Sequence, residues 1–335
     1  MNFSSCLRVA LAGAVLLLAY GKAFAVSQSP CEERHPTNDA WFTGPMLANT
    51  AATAPRGHLL IEPYLYDVTT QGSYDRDGTR QSAPHANGYG SLTYVIYGVT
   101  DRLAFGVLPT AGYNTGGGEA SSAGLGMGDL TMLLQRRLTD FRPCGRVPIV
   151  SVAVQQTLPT GRYDNLGKRS ANGLGEGVHT TSPAVYSQMY FWLPNHRIVR
   201  TRLDISDSFS GDASVDGVSV YGTGDGFHGK AYPGISLYVD ASAEYSLTRS
   251  WVLATDVTFR NTGNTRVTGT YAPGSPGGSG RVSINSGWSN AWGLAPAVEY
   301  SWKPWIGVLV GVRLIPAGRN TTETISPAIA VNIVH

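Results

Sequence analysis

From residue 57 to the end of the chain, apolar and polar side chains alternate in runs of about ten residues, a period of two that marks strand rather than helix. The clearest run is Val147 to Leu158. Val150, Val152, Val154 and Leu158 share one face, and Ser151, Ala153, Gln155 and Thr157 share the other. The run before it, Asp129 to Leu138, reaches it through the short polar connector Thr139 to Arg146. The same alternation sets Ile325, Pro327, Ile329, Val331 and Ile333 against Ser326, Ala328, Ala330 and Asn332. It also sets Ile306, Val308, Val310, Val312 and Leu314 against Gly307, Gly311 and Arg313, and Ile235, Leu237, Val239, Ala241, Ala243, Tyr245 and Leu247 against Ser236, Asp240, Ser242 and Glu244. A tilted strand of about ten residues crosses a bilayer core of roughly 25–30 Å.

Read in order, the predicted strands are Leu59 to Val68, Tyr89 to Val99, Leu103 to Tyr113, the pair already named, Ser182 to Leu193, Ile198 to Phe209, Ile235 to Leu247, Trp251 to Asn261, Trp288 to Trp302, Trp305 to Ile315 and Ile325 to Val334. Their connections alternate, long then short, throughout. Barrels of the outer membrane have short periplasmic turns and long extracellular loops, whereas a Greek-key sandwich has no reason to sort its loops by parity. The expected fold is all-β, a transmembrane up-and-down antiparallel barrel of about 12 strands of the outer-membrane type.

Composition supports that reading. Charged residues are 14% of the chain, against about 25% in ordinary soluble proteins. No later segment reaches the length of about 18 apolar residues that a spanning helix needs. A net charge of +2 argues against a nucleic-acid partner. Residues 1–25 read as a cleaved signal peptide: Arg8, then an apolar run from Val9 to Tyr20, then Ala23-Phe24-Ala25 at the cleavage site. Cys6 precedes the apolar run and would leave with it. Residues 26–56, polar and without period, read as an extended periplasmic leader, and 57–335 as the barrel domain. Export together with the barrel pattern makes the bacterial outer membrane the expected location.

Cys31 lies in the leader and Cys144 in a short turn, so both fall on the periplasmic side and are expected to pair. Closing so long a loop would contribute roughly 4–5 kcal/mol on the entropic account. Trp251, Trp302 and Trp305 sit at strand ends beside short turns, where an interfacial aromatic girdle belongs; the plainer reading is ordinary core tryptophan.

Candidate chemistry lies on the face opposite the apolar rows. Arg200, Arg202 and Asp204 alternate on one strand, Asp240 and Glu244 on the next, and Asp256 and Arg260 on the one after. An arginine facing lipid near the midplane costs about 2–4 kcal/mol, so these groups are expected to point into the lumen and form a lattice of opposite charges. Such a lattice either fills and stiffens the barrel or acts as a constriction that selects solutes. Twelve strands lie between the eight that side chains can fill and the sixteen that leave an open channel, so a narrow or partly plugged lumen and small solutes follow.

Other motifs carry less. Gly124, Gly126 and Gly128 precede a strand, not the helix that a phosphate loop requires. Asp75, Asp77 and Gly78 lack the later ligands of a calcium loop and read as a solvated turn. The histidines show no metal-ligand spacing, and the nearest nucleophile-and-base pair, Ser182 with His179, lies at a loop edge. No catalytic residue, metal or cofactor is expected.

Several short motifs resemble a known family: Glu62-Pro63-Tyr64-x-Tyr66, Thr100-Asp101-Arg102-Leu103, Gly126-x-Gly128-Asp129-Leu130 and Gln155-x-x-Leu158-Pro159-Thr160-Gly161-x-Tyr163. They are similar to those of the outer-membrane proteins of the meta-cleavage pathway of phenol degradation. The resemblance implies a barrel that passes small hydrophobic or aromatic solutes by passive diffusion, with outer-membrane lipid, the solute and the barrel-assembly machinery as partners. Many outer-membrane barrels end on an aromatic residue read by that machinery; this chain ends Ile333-Val334-His335. The competing expectation is a structural or adhesive barrel whose long loops bind a partner.

Overall fold

The computed structural model describes residues 36–115, 120–143 and 146–335. The alternating runs form twelve barrel strands. These are β1 (Leu59–Tyr74), β2 (Asn87–Thr100), β3 (Leu103–Leu108, resuming as Thr110–Thr115) and β4 (Gly126–Met127, resuming as Leu130–Arg137). Then come β5 (Ile149–Leu158), β6 (Thr180–Trp192), β7 (Ile198–Ser210) and β8 (Ser236–Ser246). The last four are β9 (Trp251–Thr262), β10 (Ser289–Lys303), β11 (Ile306–Arg319) and β12 (Thr321–Val334). Each pairs antiparallel with its sequence neighbours, and β1 closes the ring by pairing with both β2 and β12. Closure leaves no free edge, which is what a sheet in lipid requires. Among the described residues no helix is long and apolar enough to cross a membrane.

The period-two pattern sorts the faces as expected. Ile325 and Ile329 on β12 face outward at 40% and 45% exposure, while Ala328 and Ala330, on either side of Ile329, are buried in the lumen. One of the interruptions in the ladder lies in mid-wall, between β3 and β4. Pro109 has no N–H to give, and the β3–β4 register slips between Leu108↔Thr131 and Ala111↔Met127.

Two of the long loops hold structure that the sequence reading leaves as glycine-rich connection. Ala213–Asp216, Phe227–Tyr232, Arg266–Ser275 and Gly278–Asn285 form a second, four-stranded sheet. It packs on a small core that includes Val178, Val215, Phe227, Val267 and Tyr271. The glycines are why it pairs so closely. Gly229 and Gly269 are ladder partners, and a Cβ on either would stand 2.3 Å from a carbonyl oxygen of the facing strand and within 2.7 Å of the Phe227 ring. Phe227→Ala should therefore loosen this sheet alone, at about 3–5 kcal/mol. The check is limited proteolysis in proteoliposomes. Faster cutting within 211–235 or 263–288 is expected, with the barrel still migrating as a folded band on an unheated gel.

The turn after β1 uses its acid for itself. Asp75 accepts from the main-chain N–H of Asp77 and Thr79 at 2.9 Å each. The Thr79 bond, more than any other contact, holds that carboxyl below its ordinary range.

The N-terminal segment departs from expectation. Within residues 26–56, read as a periplasmic leader, Thr43 to Thr50 is held against the inner wall of the ring. Small and turn-forming residues make it narrow, and the polar wall supplies partners for its amides, so no period-two signal marks it. The signal peptide, Cys31 and Cys144 lie outside the described residues.

Candidate functional site

Every strand of one lumen wall contributes a charged or polar row. On β7 the inward positions are Arg200, Arg202 and Asp204; on β8 they are Asp240, Ser242 and Glu244; on β9, Asp256 and Thr258; on β10, Glu299. Register sets Arg200 opposite Glu244, Arg202 opposite Ser242, and Asp204 opposite Asp240. Arg200 donates through Nε and Nη2 to both Glu244 oxygens, a bidentate ion pair, and Arg202 Nε stands 3.5 Å from the same carboxylate. The Arg200 guanidinium lies over the ring of Phe42, 4.3 Å from its centroid.

A lattice of alternating charge does not extend beyond that cluster, because Asp204 meets Asp240, like beside like. Three of the four remaining acids turn to the N-terminal segment instead. Glu299 accepts from Thr43 N at 2.6 Å, Thr43 Oγ1 at 2.9 Å and Gly44 N at 3.1 Å. Asp256 accepts from the N–H groups of Met46 at 3.0 Å and Ala48 at 3.1 Å. Asp204 accepts from Asn49 N at 2.6 Å and its Nδ2 at 3.2 Å. Two donors complete the cradle: Arg202 Nη1 to the Ala48 carbonyl and Gln135 Nε2 to the Thr50 carbonyl, each 2.8 Å. Asp240 accepts from Tyr238 Oη at 3.0 Å.

The segment is a strap with both feet at the short-turn end. Trp41 N–H bonds to the Arg249 carbonyl, in the turn between β8 and β9. The chain then rises to Asp256 and Asp204 at mid-strand and descends to Thr53, whose hydroxyl donates to the Asp101 carbonyl between β2 and β3. Glycines make room at both feet. A Cβ on Gly307 would lie 2.2 Å from Thr43 Cγ2, and one on Gly98 would lie 2.0 Å from the Pro55 carbonyl oxygen. Small residues on the wall, Ala254, Ala295, Ala297, Ala328 and Ala330, pack with Met46 where the strap crosses. Asp204 is 2% exposed, and Asp240, Glu244, Asp256 and Glu299 are each 0%.

Arg260 stands apart from the expected cluster. It points inward nearer the long loops, exposed, with its guanidinium 4.8 Å from the centroid of the Tyr238 ring. Trp251, Trp302 and Trp305 stand on the outer surface beside the short turns, 46%, 50% and 54% exposed. The reading from sequence missed Glu299, Gln135 and Gln188, the last accepting from Thr50 Oγ1 at 3.1 Å. The cost argument that turned the arginines inward applies equally to Glu299, which shares the inward row of β10 with Ala295 and Ala297. Nothing in the sequence marks what these groups hold.

Beyond the strap, a cavity of about 470 Å³ opens on the inner face of β1 to β4 toward the long loops. It is lined by Tyr66, Val68 and Leu174 over the bare backbone of Gly88, Gly90 and Gly112.

No family model and no curated protein matches the chain. Among solved structures, an outer membrane channel from Pseudomonas putida F1 is similar at TM-score 0.62 and 15% identity, covering 87% of this chain and 100% of that one. The NanC porin follows at TM-score 0.45 and 9% identity, over 82% of this chain and 98% of that one. The Pseudomonas putida toluene transporter TodX is at TM-score 0.36 and 10% identity, over 84% and 90%. The first of these likenesses establishes the fold, a closed transmembrane barrel of the outer-membrane type.

Proposed function

We propose that this protein is a passive outer-membrane channel for small hydrophobic or aromatic solutes, lodged in the bacterial outer membrane with its short turns toward the periplasm. One observation carries the reading. Among the described residues, the strap between 42 and 54 makes no main-chain bond to main-chain atoms of the wall; it is held there by side chains. A plug held in this way can leave without unpairing any strand, and the space it vacates runs from the short-turn end up to mid-strand. The cavity above it has the volume of a small-molecule site, roughly 300–1,000 Å³; Tyr66, Val68, Leu174 and bare glycine backbone give it apolar surface for a flat solute, and Thr70, Asn87, Asn114 and Thr115 add polar contacts.

The test is liposome swelling and planar-bilayer conductance with the full-length protein, together with uptake of aromatic growth substrates by a deletion strain. Slow but measurable entry of small solutes and impaired uptake are expected. A barrel closed in both reconstituted assays, with uptake unchanged in the strain, would overturn the channel reading. That result would favour the second reading, a barrel whose loops bind a partner, for which the four-stranded loop sheet is the supporting observation.

A further inference from the structure

The short-turn rim carries a concentration of arginine that the lumen does not explain. Arg102 comes from the turn between β2 and β3. Arg136 and Arg137 end β4, and Arg142 and Arg146 lie in the turn to β5; the acids of the same two stretches are Asp101 and Asp140. Arg137 is held between these acids, and Arg102, more than half exposed, is shared between one of them and the crevice described below. Arg102 pairs with Asp140, and Arg137 sits 3.3 Å from Asp140 while donating to the Asp101 carbonyl at 2.8 Å. Asp101 in turn accepts the Arg56 N–H at 3.1 Å.

Arg136 is different. It follows Met132 and Leu134 on the outward row of β4, while Leu133 and Gln135 between them are buried in the lumen. Its ladder partner is Leu103, and the next pair along is Phe105 with Leu134. A guanidinium thus ends an apolar stripe on the lipid-facing wall, and among the described residues it makes no hydrogen bond or ion pair. Beside it is a crevice of about 470 Å³ lined by Thr100, Asp101, Arg102, Leu103 and Arg136. The Thr100 hydroxyl oxygen accepts the Arg102 N–H at 3.2 Å, which leaves its proton free to donate outward.

We infer that this crevice binds the phosphate of an anionic phospholipid in the membrane leaflet on the short-turn side. Arg136 reaches the phosphate from the lipid face with its stem along the wall, Arg102 flanks it, and Thr100 donates a hydroxyl. The acyl chains lie along Met132, Leu134 and Phe105. The inference requires the barrel to sit in a bilayer and is independent of what the lumen passes.

The experiment takes full-length protein in neutral detergent doped with equal phosphatidylglycerol and phosphatidylcholine, and counts retained lipid by native mass spectrometry. Wild type should retain phosphatidylglycerol over phosphatidylcholine by about tenfold, and Arg102→Gln with Arg136→Gln should bring the ratio within about twofold. Arg266→Gln with Arg281→Gln, an equal loss of charge on the loop sheet, should leave the ratio unchanged. Equal retention by wild type, or an undiminished preference in the crevice variant, overturns the inference. Displacement of the lipid by glycerol 3-phosphate assigns the crevice to free phosphate esters and overturns it as well. Should the double variant fail to fold, Arg136→Lys, which keeps the charge but lacks the two-pronged donor, carries the test: an unchanged ratio there counts against the site.

Discussion

Replacing Asp256 and Glu299 together with alanine should convert a barrel that rarely conducts into one that conducts often. The two carboxylates accept five hydrogen bonds from the strap, at Thr43, Gly44, Met46 and Ala48. Hydrogen bonds to charged groups contribute about 1.5–3 kcal/mol each. Opposing them is the entropy of ordering the strap, about 1–2 kcal/mol per residue fixed. The balance is close enough that a net loss of about 3 kcal/mol would shift the seated-to-released ratio by roughly a hundredfold. The check is open probability in planar bilayers, with swelling of sugar-loaded liposomes as a second readout. A folded variant as silent as wild type would mean that these acids do not retain the strap, or that its departure opens no path.

Arg200→Gln should be the most destabilising single change in the wall. Glu244 is 0% exposed and takes both donors of its bidentate pair from Arg200. Arg202, 3.5 Å away, cannot replace that geometry. Removing one partner of a buried ion pair leaves an uncompensated charge and costs about 3–5 kcal/mol. Phe42 would also lose the cation over its ring. Urea unfolding in lipid vesicles reads the loss directly. The companion variant, Arg200→Gln with Glu244→Gln, should recover much of it, because the orphaned charge is then gone. A loss below about 1 kcal/mol in the single variant would mean that water reaches Glu244, and that the lumen is wetter than its packing shows.

The barrel was legible in the sequence because its physics repeats every second residue. Lipid outside and a polar lumen inside force Val150, Val152 and Val154 to one side and Ser151 and Ala153 to the other, and no tertiary contact can override that sorting without putting a polar group in hydrocarbon. Orientation of the lumen charges followed from the same cost. What Arg200 and Asp204 would meet was not legible, because partnership depends on register and on a segment with no period of its own. Thr43 to Asn49 presents main-chain amides, which every sequence carries. The loop sheet stayed hidden for the opposite reason: Gly229 and Gly269 read as loop, yet they are what lets its strands close up.

The strap's anchoring has a mechanical consequence. Its C-terminal foot continues into β1, which is clamped on both sides by neighbouring strands. Among the described residues its other foot is fastened by the Trp41-to-Arg249 main-chain bond, by the Arg249 guanidinium 4.7 Å from the centroid of the Trp41 ring, and by Trp192 Nε1 donating to Asp39 at 3.2 Å. Tension applied at residue 36 from the short-turn side would load the fastenings one after another, first Asp39 and Trp41, then Glu299, Asp256 and Asp204. Contacts peeled in series give way at far lower force than contacts sheared together, so a weak pull on that foot would suffice where the same load drawn across the ring would leave every strand in place.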